Sequence, residues 1–581
     1  MKNRYILFFF TILGFIFILF VFEGILRIKY GKPSIFADPH PQFNYQYIEI
    51  YKKFFKKTRL PDGKIFYMPQ RSWETKKDIF PVIKDKNTKR IFILGGSVAQ
   101  GLQDNQYILK NILEEITPNI KFEIINCGMR GYDSYRELLV LKEIIHYSPD
   151  LIILFSGNNE FYTPIFINPL KYKLNRLLSN FLLFQFIQKK ILKSYDRPPK
   201  QITPQERLIN FENNLKKMIY ITKKKNIPFA ICTLPTNFSN CAFNKPAPWS
   251  NRKFFLAYQL WEQRDYNKAK EEFISFIKKY PFEPFGYYYL AKCYEALKNY
   301  DKAIKIYLSS MDVAFWAGID NDRCYPIKNR IIRNLCKKED IILIDLEKAF
   351  IDNAPNGLVG KEMFFDNCHW YTKYNILVFK EIIKSIINYN MNHSNWIFGI
   401  SYTPFYIKEN FNKILNIQEK KDIDLILFST FKRIINTYNN YNLYIINERL
   451  ISFLEAIYQI NPYILYDISK LKEDILQKYN ESEKDDIFLK ILDEDKFNSC
   501  WNIFLIHIAE ILRRNGVYDK AIEYFQKIIE FNPEFYFPYL GIAISKYKLG
   551  LIEEAKEYFN KAEEKARDYP LVRYWREYLG I

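Results

Sequence analysis

The chain has 581 residues, with 85 lysines and arginines against 65 aspartates and glutamates, for a formal net charge of +20. Its 48% hydrophobic and 18% aromatic content excludes a disordered chain, and the length provides for several domains. The basic balance invites a nucleic-acid reading, but the lysines are scattered along the whole chain, so a basic surface without a nucleic-acid partner is expected.

The first element in chain order is an apolar run from Tyr5 to Phe22, broken only by Thr11 and Gly14. As a helix it would rise about 27 Å, enough to cross a bilayer core. Glu23-Gly24-Ile25-Leu26-Arg27 offers no small-x-small cleavage site. Residues 1–30 are therefore expected to be a retained transmembrane anchor, with the lipid bilayer as partner through residues 5–22. Lys2 and Arg4 on one side nearly balance Arg27, Lys29 and Lys32 on the other, which leaves the orientation open. Residues 31–87, with Pro33, Pro39, Pro41 and Pro61, read as a juxtamembrane lead segment that lies along the next domain or links it to the membrane.

From Lys89 strand and helix alternate. Ile91 to Leu94 is a short buried strand, Gly95 and Gly96 turn the backbone, and Ser97 stands where a helix can begin. A serine there can simply cap that helix, or it can sit at the rim of a parallel sheet where open α/β folds place their ligands. Phe122–Asn126, Leu151–Phe155, Pro228–Leu234 and Ile341–Asp345 read as four further strands. Helices are expected near Tyr135–Tyr147 and Ile209–Lys224. The expectation is an α/β fold, a flavodoxin-like parallel sheet sandwiched by helices, built from residues 88–249 and 318–394.

Residues 250–317 interrupt that pattern. Ala257 and Ala269 repeat as Ala291 and Ala303 after a shift of 34, and the same grid returns as Ala509, Ala521, Ala543 and Ala555. Pro281 and Pro533 close the first unit of each pair, and Tyr-Asp-Lys-Ala-Ile recurs at 300–304 and 518–522. Small residues at such positions let two antiparallel helices approach closely, and the period and layout resemble tetratricopeptide repeats. One pair is expected at 250–317 and a second at 502–581, after a helical region of 395–501 that holds degenerate repeats or plain helices. Two repeats are fewer than the three or so that stand alone, so each pair must bury its flank on something else. A protein partner is the usual ligand of such repeats.

The eight cysteines include no C-x-x-C pair, so no metal or other cofactor is expected. Cys232 and Cys241 are near enough in sequence to bridge in an oxidising compartment, with buried free thiols as the default.

Four stretches carry the chemistry: Gly95-Gly96-Ser97, then Asn126-Cys127-Gly128-Met129-Arg130-Gly131, then Gly157-Asn158-Asn159-Glu160, and finally Asp366-Asn367-Cys368-His369. Each follows a strand, and in a parallel sheet all such loops open on one rim. A serine hydroxyl needs a neighbouring imidazole to take its proton, and the imidazole works better when a carboxylate orients it. Of the five histidines, only His369 has an acid at this short spacing in a loop after a strand.

The order and content of these stretches resemble the SGNH, or GDSL-like, hydrolases. That resemblance, over about 88–250 and 318–390, implies Ser97 as nucleophile, His369 as general base and acid, and Asp366 as the group that orients the imidazole. It also implies an oxyanion hole from the amides of Ser97 and Gly131 and the side chain of Asn159. Two positions depart from the family pattern: Gly96 replaces a frequent Asp, and Glu160 replaces the usual Asp. Pro235 and Asn237 after the fourth strand, and Asp322 and Arg323 before the fifth, lie where substrate contacts are expected. The architecture is also similar to bacterial proteins that join one membrane helix, with a Phe-Glu-Gly-Ile-Leu-Arg run after it, to such a domain and to repeats. There the catalytic part is generally held outside the cytoplasm, which implies a periplasmic placement here. Three functions are compatible with these readings. One is an ester hydrolase acting on an ester-bearing glycan or lipid, the second an O-acetyltransferase with the same triad, and the third an inactive repeat scaffold.

Overall fold

A computed structural model describes residues 2–30, 53–60, 63–69, 78–160, 178, 181–187, 203–240, 243, 245, 247–319, 323–393, 397–398, 431, 454, 458, 462–483, 494–566, 572, 575 and 576. The chain divides into two compact units. One comprises residues 1–56, 70–72 and 163–202, and the other comprises the rest.

In the first unit, helix α1 runs from Lys2 to Tyr30. Glu23 on α1 is buried, and its carboxylate accepts the backbone N–H groups of Leu182 (3.0 Å) and Leu183 (2.8 Å) at the start of a short helix, Leu182–Phe186. Arg27 Nε donates to the same carboxylate at 2.7 Å. On α1 the side chains of residues 10–11, 13–15 and 17–29 are described, and Phe10, Phe15, Phe17 and Phe20 among them are more than 60% exposed. Among the described residues, no helix is long and apolar enough to cross a membrane, so the transmembrane anchor expected at residues 1–30 finds no support in α1.

The second unit is built on five parallel strands: β1 (Thr88–Gly95), β2 (Lys121–Asn126), β3 (Leu151–Phe155), β4 (Phe229–Thr233) and β5 (Ile342–Asp345). Their order across the sheet is β2-β1-β3-β4-β5. Register runs from Ile93 opposite Asn126 through Gly95 opposite Phe155 and Phe155 opposite Cys232 to Thr233 opposite Asp345. This is the flavodoxin-like order, whose direction of growth reverses between β1 and β3. β3 and β4 are buried along their whole length because helices cover both faces of the sheet. Each expected strand is present, with ends shifted by at most three residues.

Part of the lead segment lies along this domain. Ile65–Pro69 pairs antiparallel with Phe80–Pro81, and Tyr67 and Phe80 pack on Tyr147 and Phe92 (ring centroids 4.3 and 5.7 Å). The Arg90 guanidinium covers the Phe80 ring at 4.7 Å and donates from Nε to Glu123 at 2.6 Å. Seven cysteines are described, all of them buried thiols outside any disulfide. Cys232 lies inside β4 as a free thiol, so the expected alternative of a bridge to Cys241 fails on that side; Cys241 itself lies outside the described residues.

The repeats form as their alanine grid requires. The inserted pair consists of Arg252–Glu262, Tyr266–Lys279, Pro284–Ala296 and Tyr300–Trp316. The C-terminal pair consists of Glu494–Arg514, Tyr518–Phe531, Tyr536–Lys548 and Ile552–Ala566. All eight grid alanines are fully buried. The inserted pair shares one continuous core with the sheet, joining Phe254, Ala257 and Tyr307 to Ile93, Phe155 and Ile344. The C-terminal pair packs with the preceding helix Ile468–Glu483 and, through the cluster of Tyr539, Leu540 and Trp575, against Phe255 of the inserted pair. Arg513 and Arg514 embrace the buried Glu510 at 2.7 Å; burial opposes its ionisation, yet the two guanidinium groups hold its carboxyl down at about 2. Of the region 395–501, where degenerate repeats were an open expectation, the described part includes the helix Ile468–Glu483, and most of 399–461 lies outside the described residues.

Because those alanines seat helix on helix with no space for branching, Ala291→Leu is expected to overpack the inserted pair and destabilise it by about 1–3 kcal/mol. The shift in the urea-unfolding midpoint measures this, and an unchanged midpoint would show that the helices can separate freely.

Candidate active site

Ser97 opens a four-residue helix, Ser97–Gln100, directly after β1. As first residue of a helix, it carries one of the N–H groups that have no intrahelical partner. Its Oγ lies 2.6 Å from Nε2 of His369, 272 positions later. The other ring nitrogen, Nδ1, lies 2.7 Å from Oδ2 of Asp366. A carboxylate at that distance places the proton on Nδ1, which leaves Nε2 to accept from the serine hydroxyl. The Asp366 side chain is fixed in turn: Oδ1 accepts the backbone N–H groups of Cys368 (2.8 Å) and His369 (2.7 Å). The imidazole keeps 26% of its side-chain surface exposed while the aspartate keeps 9%, so the carboxylate that orients the ring is the more shielded partner.

The loop after β4 clamps this turn. Thr236 Oγ1 and the Asn237 N–H both donate to the Asn367 carbonyl (2.6 and 3.1 Å), and Asn237 Nδ2 donates to the Asp366 carbonyl at 3.3 Å. Asn237 Oδ1 accepts from the Asn240 N–H at 3.0 Å. Asn237, expected as a substrate contact, is thus buried with its amide committed to holding the Asp-His turn. Arg323 is also fully buried, with Nη1 3.1 Å from Met311 Sδ, and no described contact brings it to Ser97. Asp322 lies outside the described residues.

The other expected oxyanion donors lie on the next two loops, and Asn159 comes close to Gly96, the residue before Ser97. Gly131 has φ +73°, a conformation that glycine adopts without strain. Asn159 Nδ2 donates to the Tyr132 carbonyl at 2.9 Å, which ties the loop after β3 to the loop after β2. A Cβ on Gly96 would lie 2.4 Å from that same Nδ2. A side chain at 96 would therefore press on the Asn159 amide.

Beneath these loops lies a buried polar network that the sequence did not announce. Glu160 accepts from the Ser134 N–H (3.0 Å) and Oγ–H (2.8 Å). Lys328 Nζ donates to the Gly157 carbonyl at 2.6 Å, and Arg136 Nη1 pairs with Asp133 Oδ2 at 2.9 Å. Burial, reinforced by the Asp133 charge, pushes Glu160 up to about 7 against the pull of Lys328 and Ser134. Burial and the charge of Glu160 also raise Glu137 well above the usual carboxylate range. The one group of three metal-ligating side chains among the described residues is Asp366, Cys368 and His369, whose ligand atoms lie within 4.8 Å of one another. Since Nδ1 already bonds Asp366, a metal there would displace the hydrogen bond that orients the ring.

Comparison with known proteins bears on the repeats and the fold. Tetratricopeptide repeat models match residues 256–316 and 504–535. A tetratricopeptide repeat-containing protein of Methanocaldococcus jannaschii is 23% identical over 326 residues, and the chain spans about half the length of that curated relative (53% of it, 52% of this chain). Among solved structures, a GDSL-like lipase from Bacteroides thetaiotaomicron is 12% identical, with 51% of this chain and 87% of that chain covered at a TM-score of 0.25. An acetyl xylan esterase is 16% identical, with 51% of this chain and all of the other covered at a TM-score of 0.27. At these scores the α/β assignment rests on the strand order and register rather than on superposition.

Glu160 yields a pH test. Its raised value means that the folded chain keeps a proton between pH 4.5 and about 7 that the unfolded chain releases. The stability it contributes is therefore full below pH 4.5 and lost as pH rises to about 7. Glu160→Gln, which mimics the protonated acid, is expected to flatten that part of the fall in melting temperature. Parallel pH profiles for variant and parent would show that the site does not titrate there.

Proposed function

We propose that this protein is a serine ester hydrolase that works through an acyl-enzyme on Ser97. The observation that carries the reading is the continuous hydrogen-bonded chain from Ser97 Oγ through both nitrogens of His369 to Asp366. In the first half-reaction the hydroxyl proton passes to Nε2 while Oγ bonds the ester carbonyl carbon, and the carbonyl electron pair moves onto oxygen. The amides of Ser97 and Gly131 and Nδ2 of Asn159 would receive that oxyanion. Collapse breaks the bond to the alcohol, which leaves with the proton from Nε2. Water then enters by the same route in reverse and releases the acid. Asp366 keeps the required tautomer and stabilises the imidazolium without itself taking the proton.

The substrate proposed is an O-acetyl or similar ester on an envelope glycan. Support comes from repeats able to hold a protein partner near a fixed surface, and a placement of the catalytic domain outside the cytoplasm is part of this proposal. The same acyl-enzyme would serve an O-acetyltransferase if a sugar hydroxyl, rather than water, reached it. Product analysis with an acetyl ester, with and without a sugar acceptor, separates the two: transfer exceeding hydrolysis favours the transferase.

A fluorophosphonate probe is expected to label the wild type and leave Ser97→Ala unlabelled; absence of labelling in the wild type would remove the reading. Asp366→Asn is expected to lower kcat by about 10⁴-fold through the wrong tautomer. Gly96→Ala, by displacing the Asn159 amide, is expected to lower kcat by about 10²- to 10³-fold, the usual effect of losing one oxyanion donor. Wild-type turnover in Gly96→Ala would take Asn159 out of the oxyanion hole.

A further inference from the structure

The turn that carries Asp366 and His369 is the tip of a small antiparallel hairpin. The Phe365 N–H donates to the His369 carbonyl (3.1 Å), the Tyr371 N–H donates to the Met363 carbonyl (2.9 Å), and Phe364 bridges Trp370. The apolar side chains that flank the turn divide between two cores. Met363, Phe364 and Trp370 enter the core beneath the sheet, together with Phe350 and Ile382. Phe365 and Tyr371 belong to a different apolar cluster, that of the C-terminal helical region with Leu471, Ile475, Phe504 and Ala521. Tyr374, just beyond, packs against both clusters. The Asp-His turn is therefore held between the core of the α/β domain and the core of a helical region more than 90 residues further along the chain.

One of these side chains reaches the imidazole. The Phe365 ring lies parallel to that of His369, with centroids 5.7 Å apart and an interplanar angle of 10°, within the range of offset aromatic stacking. Phe365 is 8% exposed, so its ring has little freedom to turn away. The hydrogen bonds at Nδ1 and Nε2 lie in the plane of the imidazole and leave rotation about their common axis to be set by whatever touches the ring face.

We propose that Phe365 is a positioning residue through which the C-terminal helical region orients His369 toward Ser97. The helical region is then a working part of the active site as well as a docking module, and any partner that shifts its packing alters turnover. This inference rests on the hydrolase reading for its kinetic consequence, but its geometric content stands apart from that reading.

The experiment uses the full chain with Phe365→Ala, Phe365→Tyr and Phe504→Ala. Phe504 is fully buried in the same cluster and has no described contact with His369. For an acetyl ester, Phe365→Ala is expected to lower kcat by about 10- to 100-fold with KM nearly unchanged, the effect of a misplaced catalytic group. Phe504→Ala should move kcat in the same direction, and Phe365→Tyr, which keeps the ring, should stay near wild type. In parallel, carbethoxylation of His369 by diethyl pyrocarbonate, followed by peptide mass spectrometry, reports ring freedom without any need for turnover. It should quicken in Phe365→Ala and Phe504→Ala and not in Phe365→Tyr. If Phe365→Ala does not fold, as judged by its melting transition, Phe504→Ala decides. Unchanged kcat and unchanged His369 modification in a folded variant would overturn the proposal. A wild type that does not turn over ester, yet shows faster His369 modification in the variants, would keep the positioning role and remove only the hydrolase reading.

Discussion

The contact on which the rest of this structure depends is the 2.6 Å approach of Ser97 Oγ to Nε2 of His369. Neither residue has any local means of finding the other. Ser97 is delivered by the end of β1, and the strand order puts that end beside the point where sheet growth reverses, so that the loops after β1, β2 and β3 face one another. His369 comes from outside the sheet, on a hairpin held by Thr236 and Asn237 from the loop after β4. A short hydrogen bond between a hydroxyl and an imidazole is worth little by itself after exchange with water. It persists here because two packed cores and a set of backbone bonds have already fixed both partners.

The loops that would stabilise the oxyanion are held differently, by buried charge. Glu160, Asp133, Arg136 and Lys328 are each less than a tenth exposed. Burying such groups is costly, and an apolar replacement of equal shape is often no less stable. What the network supplies is direction. Glu160 fixes Ser134, Asn159 fixes the Tyr132 carbonyl, and Lys328 fixes the Gly157 carbonyl, so two loops rich in glycine cannot drift apart. The elevated Glu160 is the thermodynamic mark of that arrangement: burial disfavours its charged form, so the carboxyl keeps its proton to higher pH.

The repeats show how a pair too short to stand alone survives. The inserted pair shares the core of the α/β domain, and the C-terminal pair rests on Ile468–Glu483, on Phe255 of the inserted pair and, through the Phe365 cluster, on the hairpin of the Asp-His turn. Each array thereby closes a flank that a longer solenoid would close with further repeats. This leaves the repeats bound into the catalytic domain rather than strung behind it.

The strands, the alternation with helices, the alanine grid and the order Ser-Gly-Asn-His were legible in the sequence because each depends on near neighbours: an apolar run, a period of 34, a glycine at a turn. Where the Asn237 and Arg323 side chains turn was not legible, for the opposite reason. Position after a strand says where a side chain starts, and only packing says whether it faces substrate, the Asp-His turn or the interior. Glu160 showed as a departure from a pattern, but its partners Ser134, Asp133 and Lys328 come from separate elements. Phe365 had a faint signal in the apolar Met363-Phe364-Phe365 and Trp370-Tyr371 that flank the turn, without any indication of which core each would join. Local hydrophobic pattern and turn chemistry thus determined, from the sequence alone, the elements and the candidate chemical groups. Tertiary structure alone decided which groups meet and what holds them, because the contacts that orient His369 join residues far apart in the chain, and their strength comes from burial that no local stretch possesses.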